Sequence, residues 1–277
     1  MQKTLLIFAF LIILFSSSCR KLVQDEFEDF NSKITINSII VQDEQIHLHV
    51  SLTNGLGAYE LSNINNANIE MYNQDSVLLN FNYVEKGHYI SDYIAKENDK
   101  FYLKVSVNNS IVSSSCFIPD RVNISEFHII ENAWVDNEGV LQPKINFSII
   151  NDLSKDLFFE AYILIYDENV TEVIEEYPVL FFDNFELETD IISKSIKISH
   201  HFYSNNINNY KYQLIIKSVD SNYYKYVKSF ENYNLSRFPD FSNAGIVPTN
   251  LFSNINNGYG IFCGYSQTLS DIKAPID

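Results

Sequence analysis

His47 and His49, in the stretch QIHLHVS, have the spacing of two side chains on one face of a strand. Two imidazoles so placed are the beginning of a transition-metal site, which needs three or four ligands. No third ligand stands near them in the chain. His200 and His201 are adjacent, so on a strand they point to opposite faces. All four read as exposed strand histidines, and no metal site is expected. Asp136–Gly139, DNEG, lacks the ligand spacing of an EF-hand loop and reads as a turn. There is no H-E-x-x-H, no G-x-S-x-G and no P-loop. The carboxylates form no recognisable acid–base pair. Catalytic triads assemble from distant residues, so these absences weaken the case for an enzyme without closing it. The expectation is no catalytic residue and no cofactor.

The C-terminal stretch NLFSNINNGYGIFCGYSQ carries Gly258, Gly260 and Gly264 in the pattern G-x-G-x-x-x-G. A dinucleotide fingerprint needs a preceding strand, a following helix and an acidic residue about 20 positions on. Too little chain follows Gly264 for that, and it includes Pro275. The glycines are therefore expected to be structural, letting backbone pass close to neighbours in a turn-rich segment. The nearby Phe252, Tyr259, Phe262 and Tyr265 are expected to pack on the second half of the protein. Trp134, the one tryptophan, could offer an aromatic platform to a sugar, but a sandwich-core tryptophan is the commoner arrangement. Asp75–Val77, DSV, matches an Asp-Ser/Thr-aliphatic O-glycosylation tripeptide of bacterial envelope proteins and makes Ser76 a candidate acceptor. Cys116 and Cys263 can pair in only one intramolecular disulfide, and two buried free thiols are the alternative.

The elements that must hold these residues are mainly strands. Runs such as ITINSIIV, QIHLHVS, KFYLKVSV and SIVSSSCFIP alternate or are β-branched, and follow one another at short spacing. KINFSII, DLFFEAYILIYD, DIISKSIKISH and NYKYQLIIKSV continue the pattern. Such spacing predicts two β-sandwich domains of Ig-like or fibronectin-like type, over 33–119 and 120–277, with Pro119 as the boundary. One segment, DSNYYKYVKSFENYN, instead places Tyr223, Val227 and Phe230 on a helical stripe, with Ser221 as N-cap. It predicts one short helix near the C-terminus.

Residues 1–18 read as a signal peptide: Lys3, an apolar run from Leu5 to Phe15, then three serines. The run is shorter than the roughly 20 residues of a spanning helix. Cys19 directly after the serines suggests lipoprotein cleavage and acylation, although Ser16 departs from the usual aliphatic residue. Residues 19–32 read as a tether. Loss of residues 1–18 removes one cation, Lys3, and no acid, so the formal charge goes from −16 to −17. That sign disfavours nucleic acid and adsorption to anionic lipid, and keeps an exported domain soluble.

NANIEMYN, KGHYIS, KFYLKVSV and SSSCFIPD, then IIKSVDSNYYKYVKSFENYN, then LFSNINNGYGIFCGYS, together resemble a Bacteroidota family of envelope lipoproteins grouped as a domain of unknown function. The resemblance spans nearly the whole mature chain and is most specific at Ser253–Phe262. Cys116 and Cys263 depart from it, standing where a small or hydroxyl residue and a glycine are expected. Members are commonly encoded beside TonB-dependent outer-membrane receptors. The resemblance thus implies a non-enzymatic outer-membrane lipoprotein, accessory or ligand-binding, that works with such a receptor. A structural or adhesive surface lipoprotein and an enzyme with an unrecognised site are the alternatives. Arg20 and Lys21 precede the first acid, Asp25, and the surface and periplasmic faces of the outer membrane both stay open.

Overall fold

A computed structural model describes residues 31–55, 62–167, 169–170, 172–199, 210–237 and 249–275. The signal peptide, Cys19, most of the tether, and His200 and His201 lie outside the described residues. Residues Ser32–Asp277 form one compact unit.

The described chain is mainly β, with one helix near the C-terminus. Strands β1 (Ile34–Val41), β2 (Gln45–Leu52), β3 (Ser62–Asn63), β4 (Asn68–Asn73), β5 (Leu78–Leu79), β6 (Phe81–Tyr83), β7 (His88–Ile94), β8 (Lys100–Val107) and β9 (Ser110–Phe117) make up the first half. The second half holds β10 (Ile124–Val135), β11 (Leu141–Ile150), β12 (Phe158–Tyr166), β13 (Val173–Asp183), β14 (Ile191–Lys197) and β15 (Lys211–Val219). Helix α1 (Ser221–Arg237) and a last strand, β16 (Tyr259–Leu269), complete it. Alternation decides the faces: Ile46, Leu48 and Val50 of β2 are buried, while His47 and His49 look outward.

Two sandwiches are present, and they share a layer. A nine-stranded sheet runs in the order β13-β12-β15-β16-β1-β2-β7-β6, with β3 beside β2. The sheet β5-β4-β8-β9 covers one half of it and β10-β11-β14 the other. One core gathers Ile36, Ile40, Leu48, Met71, Phe101 and Val105; the other gathers Ile145, Phe147, Phe159, Ile163, Tyr212 and Leu214. Pro119 does follow the end of β9, but hydrogen bonding does not stop there. β16 pairs antiparallel with β15 and parallel with β1, joining the two halves into one sheet.

β16 corrects the reading of the C-terminus. From Tyr259 on, the segment is an 11-residue central strand, preceded by an irregular stretch over 250–258. Its side chains divide between the two halves instead of all packing on the second. Phe262, fully buried, enters the first core together with Ile255. Full burial of such a side chain contributes roughly 1.5–3 kcal/mol. Phe252 and Tyr265 join a third cluster with Val219, Tyr223, Tyr224, Ile261 and Cys263, under the helix. Tyr259 stays half exposed, with the Lys33 ammonium 5.3 Å from its ring centre.

The helix is longer than expected, at 17 residues, and its buried side differs. Tyr223 and Tyr224 are buried while Phe230 is exposed. The N-cap is Asp220, not Ser221. Its carbonyl accepts the first helical bond from Tyr224 N–H, at 3.1 Å, and its Oδ1 accepts from Tyr223 N–H at 2.7 Å. Trp134 is not a core residue. It is half buried, belongs to none of the three clusters, and donates its indole N–H to the carbonyls of Pro143 and Ile198. No helix among the described residues is long and apolar enough to cross a membrane.

Candidate functional site

The two halves, the helix and the C-terminal strand meet at one place, and a cluster of buried ionisable groups, Asp220, Glu160, Tyr223, Cys116 and Cys263, gathers there. Asp220 follows β15 and is fully buried. Its backbone N–H donates to Gly264 carbonyl at 3.0 Å, which ties the start of the helix to β16. Among the described residues its Oδ2 has no hydrogen-bond partner, and neither has the buried Oγ of Ser266. Burial raises the Asp220 carboxyl to about 7, with backbone amides of Tyr223, Gly264, Phe117 and Asn222 offsetting part of the rise. Beside it, Glu160 and Lys217 pair at 2.7 Å, and Tyr223 donates its hydroxyl to Glu160. Burial, then the Glu160 charge, pushes the Tyr223 phenol far up, so it remains a donor. Cys116 and Cys263 are buried free thiols and not a disulfide. Burial and the Asp220 carboxylate push both thiols up, away from the reactive thiolate.

A two-lobed cleft opens alongside this cluster. One lobe, about 520 Å³, lies between the end of β9 and the start of β12; the other, about 760 Å³, runs along the helix. They share Phe117, Asp156 and Phe158. Phe158 is wedged between the rings of Phe185 and Tyr224, at 5.3 and 4.8 Å. The loop before it is fixed by Asn184, whose amide oxygen accepts from Leu157 N–H at 2.8 Å and whose nitrogen donates to Asn151 Oδ1 and Lys155 carbonyl. Lys100, Lys155, Lys225 and Lys228 stand around the walls against Asp120 and Asp156. Lys155 bonds Asp120 at 3.0 Å and lowers its pKa. The Lys228 ammonium lies 4.3 Å from the Tyr224 ring centre. None of Asp220, Glu160, Tyr223, Lys217 and Ser266 lines either lobe. The cluster clasps the helix to the sheet, and the cleft offers an aromatic, cation-rimmed surface for binding.

The residues singled out from sequence are scattered. His47 and His49 do share the outer face of β2, and strand pairing supplies a neighbour the sequence hid: His88 on β7 pairs with His49, with ring centres 4.5 Å apart. Burial and the two other histidines lower the His88 pKa. His49 Nε2 is 3.0 Å from Asn63 Oδ1. Among the described residues no group of three His, Cys, Asp or Glu is placed to hold a metal. Asp136 closes its own turn, accepting from Glu138 and Val140 N–H at 2.9 Å each. Ser76 is exposed in the turn between β4 and β5. The signal that could have located the cleft is the aromatic start of DLFFEAY beside the helix-forming YYKYVK; only the fold brings them together.

Comparison with curated proteins gives no match. Residues 20–270 match the family described as Domain of unknown function (DUF4249). That span is nearly the whole chain and includes every strand, the helix and the cleft, so the protein belongs to the DUF4249 family.

Proposed function

We propose that the protein is a non-enzymatic lipoprotein of the outer membrane, held by acyl chains on Cys19, which acts as an accessory or ligand-binding component of a TonB-dependent receptor. One observation carries the binding role. The cleft has aromatic walls and four lysines in a chain whose net charge is strongly negative, while the most strongly shifted ionisable groups, Asp220, Tyr223, Cys116 and Cys263, are buried outside it. A catalyst presents its most perturbed groups to the substrate; here those groups are turned to packing. The lysines favour an apolar ligand that carries negative charge.

The anchor is tested by metabolic palmitate labelling. Wild type incorporates label and Cys19→Ala does not; equal incorporation overturns the anchor. The partnership is tested by capturing the tagged chain from native membranes in mild detergent. Enrichment of a TonB-dependent receptor is the expected result. Capture of the lipidated chain with no such receptor overturns the accessory role.

A further inference from the structure

We propose a second binding site, for a neutral saccharide, on the outer face of the β4-β8-β9 sheet, independent of the cleft. Tyr72 and Tyr102 are cross-strand partners there, 37% and 53% exposed, and Tyr102 is in turn opposite Ser115 of β9. β9 is the last strand of its sheet, and the segment before β16 closes the groove beyond it. Asn256 and Ser113 exchange backbone hydrogen bonds at 2.8 and 3.4 Å. The result is a cavity of about 410 Å³ with Tyr102 on one side, Ser113 and Ser115 in its floor, and Asn222, Asn254 and Asn256 opposite.

The amide wall is rigid. Asn254 grips the backbone of Phe262 in both directions, Nδ2 to the carbonyl at 2.6 Å and Oδ1 from the N–H at 2.9 Å. Ser114 Oγ donates to Asn254 carbonyl at 2.8 Å. Asn222 Nδ2 donates to Ser115 carbonyl at 3.3 Å, and the Asn254 amide reaches the same oxygen at 3.4 Å. Asn256 Nδ2 is 3.5 Å from Ser113 Oγ. Ser115 Oγ, Tyr102 Oη and the Oδ1 atoms of Asn222 and Asn256 are left for a ligand.

This set selects by chemistry. Among the described residues no Asp, Glu, Lys, Arg or His lines the cavity, and Lys104, opposite Ser113 on the same face, is paired with Glu70. A charged ligand would find no counter-charge in the lining itself. A pyranose ring has an apolar C–H face for the tyrosine and hydroxyls that both donate and accept, as amides and serines require. An extended peptide would add to the sheet edge, but β9 is bridged at Ser113 by Asn256.

The test is affinity electrophoresis of the full chain, in a zwitterionic detergent without sugar, through gels holding soluble starch, mannan, xylan, xyloglucan or, as acidic comparators, alginate and heparin. Retardation by at least one neutral polymer is expected. Tyr102→Ala should weaken it by about tenfold with unchanged circular dichroism, since the side chain is exposed; Asn222→Ala should weaken it too. Lys225→Glu, in the cleft, should leave it unchanged, so that failure here and failure of the cleft reading are separate results. No retardation by any neutral polymer, stronger retardation by the acidic ones, or indifference to both Tyr102→Ala and Asn222→Ala overturns the proposal.

Discussion

Gly260→Ala is expected to lower the melting temperature by about 5–15 °C, a loss on the order of 2–5 kcal/mol. Two costs add. Gly260 has a φ of +106°, a conformation L side chains rarely adopt. It also faces Ile36 across the parallel β1·β16 pairing, where a Cβ would fall onto the Ile36 carbonyl group. Backbone cannot move aside as a flexible side chain can, because the same residues carry the ladder that joins the two halves. Gly264 is the weaker counterpart, its added Cβ 2.8 Å from Phe117 carbonyl. Thermal melting of wild type and variant checks this. A variant that melts like wild type yet loses receptor capture would make the stretch a binding loop instead of a structural strand.

Asp220 should show the largest pH effect. Its carboxyl is raised to about 7 in the folded protein from an ordinary 3.8. Between those values the native state keeps a proton that the unfolded chain releases, so this group makes stability fall as pH rises from about 4 to about 7. The size is on the order of a few kcal/mol. Asp120 works the other way: its lowered pKa adds stability above the ordinary carboxylate range and loses it only in acid. Cys116, Cys263 and Tyr223 are all pushed up and stay neutral through this window. Asp220→Asn keeps an oxygen to cap Tyr223 N–H and removes the ionisation. Urea midpoints at pH 5 and pH 8 should differ less in this variant than in wild type. Asp220→Ala removes the cap as well and should be about 1–2 kcal/mol less stable than Asp220→Asn at pH 5, since neither variant ionises at this position. An unchanged pH 5 to pH 8 difference in the Asn variant would mean that Asp220 ionises freely when folded.

Wherever one face of a strand meets water, the strands were legible in the sequence. QIHLHVS and KFYLKVSV alternate because β2 and β8 each bury one side. The helix was legible as a break in that alternation. Its cap was missed because Ser221 and Asp220 are both good N-cap types, and only the buried tie from Asp220 to Gly264 decides between them. Trp134 was misplaced for the opposite reason: size and apolarity argue for a core, but its indole N–H is used to tie the ends of two strands.

Composition and order alone therefore determined the acidic charge, the predominance of strands, a helix after NYKYQLIIKSV and the structural use of the C-terminal glycines. These depend on local chemistry and short periods. Tertiary structure decided that the two sandwiches share one sheet, that YGIFCGYSQTL is its central strand, and that Phe117, Phe158 and Tyr224 form a cleft. A strand buried on both faces between β1 and β15 has no outward side to impose alternation, and its partners lie more than 200 residues earlier in the chain on one side of it and about 50 earlier on the other. No window along the chain contains that pairing; it exists only once the glycines let β16 lie against β1.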